Sequence, residues 1–333
     1  MNRFEKYKTP YKLGRPVLTG SGVKGAFDEC SVDCPFVFRH NDRFYMMYVG
    51  FDGQGYQTAL AVSDNLIDWE HYGMVFRRGE GNGWDDISIA GCWILRDNDL
   101  WGPGTLKKWN GRYWLAYHAY PGAGFENGPA SIGLAWTEDE NLLQWNRLEE
   151  PILRPEDGAA WERGGLYKEC LLEFGGLFYM FYNAKTEGKP WTEQTGVAVS
   201  ADLVRWRRQP DNPVLKVSPE GWDSRFVSDP CVLKNGDEWA MYFFGFDDKH
   251  AQDGVALSPN LHDWVKCPEP ILPAGAPGEV DSIHAHKPSL IAHNGVLYHF
   301  YVSVREYREG DPTIQFGREF RTISVATSAP IEA

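Results

Sequence analysis

The sequence predicts an all-β protein, a five-bladed β-propeller with four antiparallel strands per blade and a ring closed by the N-terminal strand. Three observations carry this reading. A pattern of apolar-Ser/Thr, polar residues, Leu, two further residues and Trp recurs about every sixty residues, a supersecondary period. Each copy follows two apolar, aromatic segments separated by a polar turn, the mark of a hairpin. The last copy lacks a closing segment that the N-terminus can supply, and closure is how radial sheets protect their edges. A single domain over residues 1–333 is expected.

The elements follow in order. The hairpins are read at Phe36-Val37-Phe38 with Phe44–Tyr48, Leu106 with Tyr113–Tyr117 across Asn110-Gly111, and Leu171-Leu172 with Phe178–Tyr182. Two more are Val232-Leu233 with Trp239–Phe243 and Leu290-Ile291 with Leu297–Tyr301. Third strands carry Ala61-Val62-Ser63, Ala135 onward, Ala198-Val199-Ser200, Ala256-Leu257-Ser258 and Ile323–Ser328, the first four ending in Trp69, Trp145, Trp206 and Trp264. Fourth strands are expected at Met74-Val75-Phe76, Pro151-Ile152-Leu153, Pro213-Val214-Leu215 and Pro270-Ile271-Leu272. The chain ends before a fifth, and Pro16-Val17-Leu18 matches it.

Composition narrows the function. Hydrophobic residues make up 43%, with 14 Trp, 16 Tyr and 18 Phe, so a large core is expected rather than disorder. The 33 Lys and Arg against 46 Asp and Glu give a net charge of −13, which repels phosphate backbones, so neither nucleic acid nor an anionic membrane is an expected partner. The start lacks an apolar signal region and no run of about 18 apolar residues occurs, so a cytoplasmic protein without a membrane span is expected. Six cysteines without a CxxC pair suit reduced thiols. The oligomeric state is not legible.

In a propeller the innermost strands line a central channel, so their starts converge at one mouth. Those starts are read at Asp33-Cys34-Pro35, Gly102-Pro103-Gly104, Tyr167-Lys168-Glu169, Ser228-Asp229-Pro230 and His286-Lys287-Pro288. Three carry a carboxylate. Glycoside cleavage needs two carboxyl groups across the scissile bond, one protonated and one ionised, and a narrow acidic channel can hold one protonated. Asp33, Glu169, Asp229 and His286 are the catalytic candidates, although Asp33 and Asp229 also suit turn-capping roles.

On these residues the chain resembles the five-bladed glycoside hydrolases of families 43, 32, 117 and 130, over essentially its whole length. In family 43 the first blade supplies an Asp base, the second an orienting Asp and the third a Glu acid. The resemblance implies Asp33 as base and Glu169 as acid. The second position, in Trp101-Gly102-Pro103-Gly104-Thr105, has no carboxylate, leaving Asp229, Asp97 or Asp99 as substitutes. Glu169-Cys170 is similar to the Glu-Cys acid/base motif of family 32, whose opening Trp-Met-Asn-Asp-Pro is absent here.

In Asp281–Pro288, His284 and His286 point the same way if the segment is extended. They suit sugar or carboxylate binding with Lys287, proton donation, or a central ion; no cofactor is expected and no metal ligand is assigned. Trp84-Asp85-Asp86, Trp161-Glu162-Arg163 and Trp222-Asp223-Ser224 repeat and so read as structural, with Asp86 extra to the repeat. Asp86, Trp101, Lys168, Lys287 and His284 are the expected substrate-binding residues, with Trp191 and Phe125 as further stacking aromatics. The expected activity is exo-cleavage of short oligosaccharides by hydrolysis. Phosphorolysis, with Lys168, Lys287, His284, His286 and Arg225 around phosphate, is the alternative. A sugar-binding propeller would repeat its binding residues in each blade, and these strand starts differ.

Overall fold

The computed structural model describes residues 3–331; residues 1, 2, 332 and 333, the ends of the expected 1–333 domain, lie outside the described residues. After β1 (Tyr11–Leu18) the chain lays down antiparallel units in sequence. The first is β2 (Ser31–His40), β3 (Arg43–Phe51), β4 (Tyr56–Ser63) and β5 (Glu70–Phe76). The second is β6 (Ser88–Ile94), β7 (Tyr113–Tyr120), β8 (Ser131–Thr137) and β9 (Asn146–Arg147). The third is β10 (Gly165–Phe174), β11 (Leu177–Lys185), β12 (Glu193–Ser200) and β13 (Arg207–Arg208).

The fourth unit is β14 (Phe226–Asn235), β15 (Glu238–Phe246), β16 (Ala251–Ser258) and β17 (Val265–Lys266). The last is β18 (His284–His293), β19 (Val296–Glu306) and β20 (Glu319–Thr327), and β1 pairs with β20, Pro16 opposite Ser324 and Leu18 opposite Ile323. Single parallel bridges at Glu193–Phe226 and Gln252–Ala285 join three units into one twelve-stranded sheet; the other two sheets have four strands each. The hydrogen-bonded ladder is therefore interrupted around the molecule, and side-chain packing spans the gaps: Phe36 of β2 packs against Trp93 of β6 with ring centroids 4.5 Å apart and the planes tilted at 40°.

Two expectations are corrected. The second inner strand is Ser88–Ile94, which pairs directly with β7, and not the segment at Gly102-Pro103-Gly104. Residues 95–112 form an insertion that reaches β2, β14 and β18. There Arg96 donates to the carbonyls of Val37 and Leu290, Asn98 donates to that of Val232, and the Leu100 N–H reaches Lys234 O. Secondly, the expected fourth strands of the second, third and fourth units are split: two-residue pieces follow each Trp, and Leu153, Leu215 and Leu272 form separate bridges to Ile132, Thr195 and Asp253. The proline before each bridging segment lacks the N–H a continuous ladder needs.

The recurring pattern is turn chemistry. Ser63 Oγ accepts the N–H groups of Asn65 and Leu66, Asn65 Oδ1 accepts those of Ile67 and Asp68, and Leu66 is left-handed at φ 67°. Trp69 Nε1 then donates to Leu66 O, closing the turn. Asp202, Leu203 and Trp206 repeat this, and Asp139, Leu142 and Trp145 do so in the looser copy. Asn and Asp serve because their side chains mimic a turn of backbone. The second motif braces the units: Trp84, Trp161 and Trp222 stack on Tyr117, Tyr182 and Phe243, while Asp85 and Glu162 accept the Tyr117 and Tyr182 hydroxyls.

Candidate active site

Four inner strands carry the same irregularity, a register shift between Asp33 and Phe36, Tyr167 and Cys170, Ser228 and Cys231, and His286 and Ser289. Each shift is a β-bulge, which re-aims side chains. At its centre stand Cys34, Lys168, Asp229 and Lys287, with φ of 54°, 58°, 56° and 68°. Non-glycine residues in that region are strained, and their recurrence at equivalent positions marks a purpose-built ring. The four line one small cavity of about 40 Å³ with Cys92, Glu169, Trp93 and three prolines.

The ring is a charge network. Lys287 Nζ lies 2.9 Å from Asp33 Oδ1, and Arg321 Nη1 lies 3.2 Å from Asp33 Oδ2. Burial alone would raise the Asp33 carboxyl, but Lys287 and Arg321, with Lys168 behind them, hold it well below the ordinary range. Lys168 Nζ touches Cys34 Sγ and lies 4.0 Å from Asp229 Oδ2. Burial opposes its charge, yet Cys34, Asp229 and Asp33 keep it protonated. Asp229 itself is pushed up, chiefly by burial.

His286 sits beside this network as a neutral imidazole. Burial, then Arg321 and Lys287, depress its pKa far below the usual value; Nδ1 donates to Val302 O at 3.1 Å, and Nε2 faces the Arg321 guanidinium. His284 is likewise depressed, to about 3, mainly by burial, and its Nδ1 accepts the Ala251 N–H. Its proton is therefore on Nε2, available as a donor.

Glu169 is buried on the same cavity wall, with Oε2 3.4 Å from His118 Nδ1. Asp33, Glu169, Asp229, His286, Lys168 and Lys287 are thus brought together, His284 beside them. Asp86 is not: its carboxylate accepts the Gly81 N–H within a loop. Trp101 is not either. It stands 46% exposed in the insertion, next to the Asp99–Lys234 bridge, at the end of β14 away from Asp229.

Two carboxyl groups were not legible as site residues. Glu126, in the β7–β8 loop at φ 46°, accepts the Tyr56 hydroxyl at 3.2 Å. Burial raises it, but Lys287, Lys168 and Lys185 prevail and keep it ionised. Glu193, at the start of β12, accepts Trp191 Nε1 at 2.9 Å and Ser228 Oγ at 3.0 Å. Burial, then the charge of Glu126, raises its pKa. Glu126, Phe125, Lys185 and Trp191 line one groove on this face. Ser228 Oγ is also 3.0 Å from Asp229 Oδ1. A hydroxyl has one proton, so both contacts are satisfied when one of the two carboxyl groups is protonated. A Glu at the outset of a strand whose next unit opens Ser-Asp-Pro is the only sequence signal for this pairing.

An all-β frame with carboxyl groups pushed in opposite directions around an inner-strand mouth has the paired groups that glycoside cleavage requires. The glycosyl hydrolases family 32 N-terminal domain matches residues 97–276, and the chain belongs to that family. A solved BT0996 RGII complex is 31% identical with a TM-score of 0.82, covering 98% of this chain and 94% of that one. A structure described as a glycoside hydrolase is 30% identical at a TM-score of 0.81, with the same coverage. A 1,2-beta-oligomannan phosphorylase of Thermoanaerobacter sp. (strain X514) is 29% identical over 134 residues, 38% of this chain and 45% of the relative.

Proposed function

We propose that the protein is a glycoside hydrolase that removes terminal sugars from short oligosaccharides, built as one five-bladed propeller closed by β1. The pairing of β1 with β20 supports the closure. The insertion carrying Arg96 supports exo-action, because a channel sealed behind the cavity receives a chain end rather than a continuous chain. The RGII complex among its similar structures supports a carbohydrate ligand.

The observation that carries the mechanism is the Glu193–Ser228–Asp229 arrangement facing the Glu126 groove. Glu193 is the general acid and Glu126 the ionised partner, since paired carboxyl groups pushed apart in pKa take those roles. Asp229 shares the acid's proton through Ser228. Asp33 fixes Lys287 and Arg321, while His284 Nε2–H and Trp191 meet sugar hydroxyls and faces. Glu169, on the cavity wall with Lys168 and Asp229, is the alternative acid.

The test is a panel of aryl glycosides and oligosaccharides assayed with and without phosphate. Glu193→Gln is expected to slow substrates with poor leaving groups on the order of 10²–10⁴-fold and activated aryl glycosides less. Full activity in that variant, with loss confined to Glu169→Gln, would return the acid to Glu169. Phosphorolysis is the second reading, favoured by Lys168, Lys287 and Arg321 around one cavity and by the phosphorylase relative. Sugar 1-phosphate formed only with phosphate would establish it; free sugar without phosphate establishes hydrolysis.

A further inference from the structure

Beside the lysine ring, Cys92 of β6, His118 of β7 and Glu169 of β10 meet in the interior. Cys92 Sγ and Glu169 Oε2 each lie 3.4 Å from His118 Nδ1, and the three atoms are all within 4.8 Å of one another. Both neighbours face the same ring nitrogen. A Cys–His–carboxylate relay would need them on opposite nitrogens, so this is no nucleophile triad. Three donor atoms instead converge on one point.

The two spacings to His118 Nδ1 fit a tetrahedral ion. Zinc–ligand lengths of about 2.3 Å to sulfur, 2.0–2.1 Å to nitrogen and 2.0–2.2 Å to oxygen place tetrahedral neighbours roughly 3.3–3.6 Å apart. The cluster also has unmet needs. Both side chains of the His118–Glu169 pair are fully buried, and because the Lys168 N–H donates to His118 Nδ1, that nitrogen and Glu169 Oε2 face each other at 3.4 Å as two acceptors. A buried carboxylate so placed calls for a cation or a proton. A thiolate, a carboxylate and a neutral imidazole balance one divalent ion. Cys92 and Glu169 both line the cavity, which leaves a fourth ligand position on its side.

We propose that Cys92, His118 and Glu169 bind one zinc ion in the floor of the cavity. The Lys168 N–H, 3.3 Å from His118 Nδ1, is the contact the ion supersedes. The donor set of sulfur, nitrogen and a single oxygen suits zinc over calcium or magnesium. This goes beyond the glycosidase reading and rests on none of its catalytic assignments.

The experiment loads the full chain with zinc chloride, removes excess by desalting and measures bound metal by mass spectrometry. Wild type is expected to retain about one zinc per chain, Cys92→Ala and His118→Ala at most a tenth of that, and Cys30→Ser the wild-type amount. Wild type without zinc, or Cys92→Ala with it, overturns the site. Because the variants could fold poorly, cobalt(II) is also added to wild type alone. A thiolate-to-cobalt band in the near ultraviolet with tetrahedral visible bands supports the site, and their absence overturns it. Both readouts are independent of turnover, so failure here leaves the glycosidase reading standing, and the reverse.

Discussion

Asp33 holds two cations that reach it from the other end of the chain, and nothing in its own neighbourhood announces them. Its stabilising effect has a defined pH window. With its folded pKa below the unfolded value of about 3.9, it stabilises fully above about pH 4, and the contribution fades as pH falls further. Asp33→Asn leaves Lys287 and Arg321 buried without their shared counter-ion, a loss of about 3–5 kcal/mol at pH 7. Denaturant titrations of both proteins should show that gap narrowing at pH 3; an equal gap at both values contradicts the pairing. The activity profile has its own sign. With Glu126 depressed and Glu193 raised, kcat/KM should climb as Glu126 ionises and decline as Glu193 loses its proton. Glu126, Asp229 and Tyr167 face Glu193, and Glu193→Gln should remove the alkaline limb. A limb that persists in that variant assigns it to another group.

At the scale of elements, the recurrent turn was legible because Ser, Asn or Asp, left-handed Leu and closing Trp act within a few residues of one another. The second inner strand was misread for an equally local reason. The insertion supplies an apolar Leu106 before an Asn110-Gly111 turn and so imitates a hairpin, while the true strand, Ser88–Ile94, pairs across it. Glu126 and Glu193 belong to no repeat and gain their meaning only from residues of other units. The Trp–acid braces test the packing. A Cβ on Gly196 would stand 2.7 Å from Trp161 Cη2 and 3.0 Å from Tyr182 Cζ, between two stacked rings. Gly196→Ala should cost about 1–3 kcal/mol, lowering Tm by a few degrees. Unchanged Tm would show that the brace yields freely.

At the scale of the molecule, the units are joined by few backbone hydrogen bonds, so their association depends on side chains that cross between them. β1 covers the edge of β20, and the insertion of the second unit makes a closure across β2, β14 and β18. Arg96 is the centre of that closure. It is buried, donates to Val37 O of β2 and Leu290 O of β18, and lies over the rings of Phe36 and Trp93. Burial lowers its pKa, and carbonyl oxygens and aromatic faces take the place of a carboxylate partner. Arg96→Met keeps the apolar stem but leaves two buried carbonyls unpaired, which should cost on the order of 2–4 kcal/mol and lower Tm accordingly. The lost bonds lie at the channel end away from the cavity mouth, so KM for a small aryl glycoside should remain at the wild-type value. A fall in Tm with unchanged KM separates the closure of the channel from the binding of sugar. A shifted KM with unchanged Tm would place Arg96 in the substrate site instead.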